Sequence, residues 1–206
     1  MKNIFRDNMT LLMLFYPVLI LMMSILLIPS LLNMTDNATP AAMYGSVISF
    51  IMLLSISSMI YGALLGFVLL DRKDEKTLFT IAATPLTVGG YLKFQAVYFC
   101  IIAFVTNTII LIGTKLFASD AYTFEVFGIS YNLFANLTYP KILAFSASAC
   151  LFVPLVGFLI AALGKNKIEG FAYMKSGGML LLLPVLTVLD TFSGGLQYLL
   201  GVTPNF

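Results

Sequence analysis

The chain alternates long apolar runs with short polar interruptions. Met9 to Leu32 is almost continuously apolar and carries no charge. About 24 residues at roughly 1.5 Å each give about 36 Å of helix, enough to cross a bilayer with tilt. Pro17 and Pro29 fall inside this run, where a membrane helix tolerates them if neighbours satisfy the freed carbonyls. After a polar turn (33–42), the next run stays uncharged as far as Leu70 and exceeds one membrane thickness, so that helix tilts or projects. A third run covers 94–116, with Lys115 placed to snorkel to the headgroups. The connection 117–140 is rich in aromatics, among them Tyr122, Phe124, Phe127, Tyr131, Phe134 and Tyr139, a density that suits the membrane interface. A fourth run, 141–163, carries Pro154 in its middle. The last apolar stretch, Ser176 to Leu189, is too short to cross alone, so its helix starts near Glu169 and the span is read as 170–189. The pattern predicts an all-α integral membrane protein, a polytopic helical bundle with five spans in a single transmembrane domain over 1–206.

Composition strengthens this reading. The chain is 60% hydrophobic and 10% charged, with a mean hydropathy of +1.01. A soluble domain carries far more charge. The N-terminal apolar run is too long for a cleavable signal and reads as a permanent first span. Lys2, Arg6, Arg72, Lys73, Lys76, Lys93, Lys165, Lys167 and Lys175 fall on one side of the predicted spans, while Lys115 and Lys141 fall on the other. The positive-inside rule then places the N-terminus and the loops 71–93 and 164–175 in the cytoplasm, with 33–42, 117–140 and the tail 190–206 outside.

Charge and residue types exclude several functions. A net charge of +2 leaves no nucleic-acid footprint. The absence of histidine removes the commonest general base and metal ligand. No G-x-x-x-x-G-K-[ST] pattern occurs, so the chain does not hydrolyse ATP by that route. Asp36, Asp71, Asp120, Glu125 and Asp190 all avoid mid-span positions, which argues against an ion-coupled carrier. Cys100 and Cys150 lie in apolar runs and read as packing residues rather than a disulfide or metal pair. No catalytic residue and no metal ligand is assigned.

What remains is the polar insert DRKDEKTLFTIAATPLTVGGYLK, residues 71–93. Leu78, Phe79, Ile81 and Ala82 share one face at helical spacing. Asp74 and Glu75 suit the first turn, and Thr84-Pro85 stops the helix. The insert therefore predicts a short amphipathic helix lying between two spans, where a partner's push would reach both. Its length also exceeds what a connector needs. Two intramembrane features stand out. Ser58, Gly62 and Gly66 form a small-residue ridge, suited to a dimer face or to packing within the chain. Asn107 needs a polar partner inside the membrane, either on a neighbouring helix or along a translocation path.

The segment LLDRKDEKTLFTIAATPLTVGGYLKFQ resembles the stretch after the second span of type-2 ABC export permeases. Those proteins carry an acidic residue, a Thr-Leu pair and a Thr-Pro-Leu turn in this order, here Glu75, Thr77-Leu78 and Thr84-Pro85-Leu86. The charged stretch with Lys165, Lys167 and Glu169, followed by Lys175, is similar to the one before their fifth span. The tail, with Thr203-Pro204-Asn205-Phe206, resembles their outer re-entrant segment. Within that group the likeness extends to small bacterial permeases for fluoroquinolone export. Six spans are expected of such a permease, and five are visible here. The resemblance implies a multi-pass protein of the bacterial plasma membrane that exports an amphipathic drug or lipid-like cargo. It also implies a cytoplasmic ABC ATPase as partner, which binds the ATP-Mg, and a second permease copy, identical or different. Glu75, Thr77, Leu78, Phe79, Ile81, Ala82, Thr84 and Pro85 would couple to the ATPase. The same loops would also suit a membrane scaffold or immunity protein that binds a soluble partner.

Overall fold

The computed structural model describes residues 8–34, 40–77, 87–127 and 129–177. Helix α1 (Asn8–Met22) passes through a π-helical turn, Met23–Leu27, into α2 (Ile28–Leu32). Helices α3 (Pro40–Asp74) and α4 (Val88–Ala118) follow. A 3-10 turn, Ser119–Tyr122, leads into an antiparallel hairpin of β1 (Thr123–Val126) and β2 (Ile129–Asn132). Helices α5 (Tyr139–Cys150), α6 (Phe152–Leu163) and α7 (Lys167–Gly177) complete the described chain. Among the described residues four helical segments are long and apolar enough to cross a membrane: Phe15–Leu32, Ala42–Asp74, Val88–Tyr122 and Tyr139–Leu163. This is the architecture of an all-α membrane protein with one small hairpin.

Helix α3 is the centre of the bundle. Its apolar window is 78% buried, against 22%, 33% and 28% for the other three. The outer faces of those three carry exposed Phe15, Leu26, Ile101, Ile109, Leu155 and Leu159, side chains suited to lipid. Lipid tails are as apolar as leucine, so burial alone does not favour helix against helix, and close packing must do it. Helices α3 and α6 meet at glycines. A β-carbon at Gly62 would lie 2.7 Å from Val156 Cβ, one at Gly66 2.8 Å from Ile160 Cβ, and one at Gly157 2.6 Å from Leu65 Cγ. Glycines on both helices thus receive side chains from the other.

Two prolines shape the outer helices. Within the π turn the Ile28 N–H donates to Met23 O, five residues back. In the same register the Ser24 carbonyl would face Pro29, which has no N–H. The Tyr122 hydroxyl donates to that carbonyl at 2.8 Å instead. Pro154 likewise leaves the Cys150 carbonyl without its helical donor, and the helix breaks at Leu151 between α5 and α6. The Cys100 thiol donates to Cys150 O at 3.3 Å. Both cysteines are free thiols.

Several boundaries differ from the sequence reading, for local reasons. Helix α3 continues four residues past Leu70, because Asp71 to Asp74 are compatible with helix and Arg72 and Lys73 suit its C-terminal dipole. Helix α4 begins at Val88 rather than 94, because the Thr87 hydroxyl caps it by accepting from Gly90 N at 3.1 Å. The charged segment 164–175 is mostly helical, with only Gly164 to Asn166 between α6 and α7. The connection 117–140 is not a plain loop but folds into the hairpin. Lys115 does not snorkel freely: it donates to Leu137 O and lies 5.2 Å from the Tyr139 ring centroid. Most of the predicted fifth span and the re-entrant tail lie outside the described residues.

Replacing Gly157 with Leu should overpack the α3–α6 contact and lower stability by about 1–3 kcal/mol. Gly89 has open space around it, so Gly89→Ala should leave stability unchanged or raise it by up to about 1 kcal/mol. Thermal unfolding midpoints in mild detergent check both.

Candidate functional site

The residues best placed to act on a partner gather where α3, α6 and α7 end. Helix α3 stops because Lys76 takes a left-handed backbone, with φ of 54°. The Lys76 N–H donates to Lys73 O at 3.2 Å, and the Thr77 hydroxyl donates to Arg72 O at 3.1 Å, so the last carbonyls are covered. Helix α7 starts with a reciprocal cap. Asn166 Oδ1 accepts from Glu169 N at 2.9 Å, and Glu169 Oε2 accepts from Lys165 N at 3.0 Å. This is a capping box shifted by one residue.

These two ends are tied together. Lys167 Nζ lies 2.8 Å from Asp71 Oδ2, and Lys73 Nζ donates to Gly164 O at 3.1 Å. Arg72 and Glu75 form a looser pair at 3.6 Å on the same surface. The Asp71 and Lys167 side chains are 41% and 34% exposed, so water and salt screen their attraction to about 1 kcal/mol or less. Cohesion comes from below. Leu70 is fully buried, a β-carbon at Gly170 would overlap it, and Phe67 stacks on Phe171 with ring centroids 6.4 Å apart. The apolar floor holds α7 on α3, and the charges set its register. The two charged segments of the sequence, far apart in the chain, thus form one surface.

The other predicted positions are distributed as follows. Glu75 is exposed and Thr77 half-buried at the rim of this surface. Leu78, Phe79, Ile81, Ala82, Thr84 and Pro85 lie outside the described residues. Lys165 is exposed, while Lys167 and Glu169 serve the joint and the cap. The ridge of Ser58, Gly62 and Gly66 faces its own chain, with both glycines against α6. Asn107 is buried on α4 and its Nδ2 donates to Ser58 Oγ at 3.2 Å, so ridge and amide belong to one contact. One turn along α3, Tyr61 OH lies 2.8 Å from Thr106 Oγ1. Asn107 Oδ1 and the hydroxyls of Ser46, Ser57 and Ser146 are buried without a hydrogen-bond partner among the described residues.

Sequence reasoning missed the polar and aromatic lock at the opposite end. Thr114 Oγ1 lies 2.8 Å from both Ser24 Oγ and Ile110 O, and Ser24, Thr114 and Tyr122 are all fully buried. Tyr122 packs edge-on against Phe134 at 4.8 Å, Phe134 against Phe50 at 5.8 Å, and Phe50 against Phe145 at 5.7 Å. The aromatic density of 117–140 was the available signal, but it pointed to the interface rather than to a buried cap.

Among the described residues no group of histidine, cysteine or carboxylate side chains could hold a metal ion. Among the described residues, three apolar spans around a buried central one, with charged helix ends joined at one pole, define a polytopic helical membrane protein. The chain belongs to the "Fluoroquinolones export permease protein Rv2686c-like" family, whose model matches residues 1–206. No curated protein and no solved structure matches it. Membership agrees with the resemblance to small drug-export permeases and supports a role in transport across a membrane.

Two outcomes are expected here. A double-mutant cycle on Asp71→Ala and Lys167→Ala, read by thermal unfolding in detergent, should give a coupling of about 1 kcal/mol or less that shrinks with salt. Tyr122→Phe leaves the Ser24 carbonyl without its donor and should cost about 1–3 kcal/mol by the same measurement.

Proposed function

We propose that this protein is the membrane-spanning permease subunit of an ATP-driven exporter, coupled to a separate cytoplasmic ABC ATPase through the 71–93 loop. The observation that carries the reading is the joint of Asp71 with Lys167 and of Lys73 with Gly164. A push on the loop after α3 would reach α3 directly and α7 through this joint. Because α3 is the most buried helix, its displacement would be felt by every helix around it. Leu78, Phe79, Ile81 and Ala82 would supply an apolar face for the ATPase, Glu75 and its neighbours the orientation, and Pro85 the exit from the helix. ATP and Mg²⁺ would bind to the partner and not to this chain.

The cargo in this reading is an amphipathic drug, in keeping with the family description. Among the described residues the buried polar side chains are serines, threonines and Asn107, none of them charged, which suits a largely apolar solute. Two permease copies would form the pathway. The engagement of Gly62 and Gly66 within the chain leaves the dimer contact to another surface. The protein would lie in the bacterial plasma membrane with the charged joint on the cytoplasmic side.

Phe79→Asp tests the coupling role. The variant should insert normally and lose ATP-driven drug efflux, measured in inverted vesicles carrying the permease and its ATPase. Purification in mild detergent should recover a stoichiometric ABC ATPase with the unmodified chain and lose it with Phe79→Asp. Recovery of the chain alone under every nucleotide condition would overturn the reading.

A further inference from the structure

The β1–β2 hairpin has two unlike faces. Residues directly opposite in an antiparallel pair lie on the same side of the ribbon. Phe124 pairs with Tyr131, while Thr123 pairs with Asn132 and Glu125 with Ser130. One face therefore presents Phe124, Tyr131 and Ile129, and the other presents Thr123, Asn132, Glu125 and Ser130. Phe124 and Tyr131 stack with ring centroids 6.2 Å apart, near the base of the hairpin. Toward the tip apolar surface is uncovered: Ile129 on this face is 58% exposed, and Phe127 in the turn is fully exposed. Phe127 also has φ of 53°, a left-handed conformation unfavourable for an aromatic residue and usually given to Gly or Asn.

The position of the hairpin says what covers it. Helix α4 has 31 residues, about 46 Å of helix against about 30 Å of hydrocarbon. Lys93, exposed near its start, marks the boundary at the charged end. From there to Ala118 is about 38 Å, so the chain leaves the helix within roughly 8 Å of the far hydrocarbon boundary, at headgroup depth. Leu116 and Phe117 at the end of α4 and Tyr139 at the start of α5 are exposed at that level. They carry the lipid-facing surface of the spans up to the hairpin, as an aromatic belt does.

We infer that the hairpin is an interfacial wedge, with Phe127, Ile129 and Tyr131 seated in the lipid headgroup layer at the end opposite the charged joint. Its polar face turns to water. The wedge fixes the depth of α4 in the bilayer, and through Tyr122 and Phe134 it fixes the depth of the helices they lock. The inference needs the helices to span a bilayer but is independent of coupling to an ATPase.

The chain contains no tryptophan, so Phe127→Trp creates a single reporter in the full protein. It is reconstituted in phosphatidylcholine vesicles containing lipids brominated at shallow or deep acyl positions. Leu155→Trp on the lipid side of α6, about 15 Å along the helix from Lys165, is the reference for mid-bilayer depth. The expected result is blue-shifted emission at position 127, quenched severalfold more by shallow than by deep bromine, with the opposite order at 155. Water-like emission without quenching at 127 overturns the wedge. Blue-shifted emission that no brominated lipid quenches means that protein covers the tip, as in a dimer, and also overturns it. Absence of quenching at 155 as well would show that the helices are not in the bilayer, and the wedge falls with the spanning assignment. Should Phe127→Trp fail to fold, Ile129→Trp reads the same face with the same outcomes.

Discussion

Inside a bilayer a backbone carbonyl without a donor has no water to turn to, and that constraint organises this fold. Pro29 and Pro154 each free a carbonyl in an apolar helix, at Ser24 and at Cys150. Both are satisfied from α4 or its extension, by Tyr122 and by Cys100. Neither bond is local in sequence. Each fixes the height of one outer helix against α4, so the prolines act as docking points as well as breaks. The Ser24–Thr114 contact repeats the α1–α4 restraint through side chains.

Against this frame α3 is held by shape. In lipid a helix gains little by exchanging acyl chains for leucines, so contact depends on how near two backbones can come. Gly62, Gly66 and Gly157 let α3 and α6 interlock, and the Ser58–Asn107 hydrogen bond adds a polar tie to α4. The most buried helix is thus also the one that carries the charged end. Its last turn meets α7 through a weak ion pair laid over a strong apolar contact of Leu70, Phe67 and Phe171. The division of labour is consistent with their exposures: the charges are partly in water and select the pairing, while buried Leu70 and Phe67 supply most of the attraction.

The two ends differ in kind. The charged end has capped helix termini, a lysine in a left-handed cap and exposed carboxylates, which makes it a polar surface. The opposite end is closed by the Tyr122–Phe134–Phe50–Phe145 chain of rings and projects an amphipathic hairpin.

Much of this was legible along the chain. Residence in a membrane and the approximate place of four helices follow from apolar run length, because the hydrocarbon core imposes that length directly. The family resemblance rested on the polar insert, whose order of acidic residue, Thr-Leu pair and Thr-Pro-Leu turn is read without knowing how the helices pack. Helix ends were read less well. Asp71 to Asp74 and Val88 to Lys93 look like loop by polarity, yet they are helical, since a helix that leaves the bilayer keeps its hydrogen bonds in water as well. The hairpin was hidden because its strands are only four residues each, too short for alternation to show. What the sequence by itself determined is that these helices span a membrane and that the charge lies at one end. Which carbonyl Tyr122 satisfies, which helix Gly62 and Gly66 face, and that Asp71 meets Lys167 were decided only by the tertiary structure. The reason is that each depends on the relative height and rotation of helices, and apolar composition is indifferent to both.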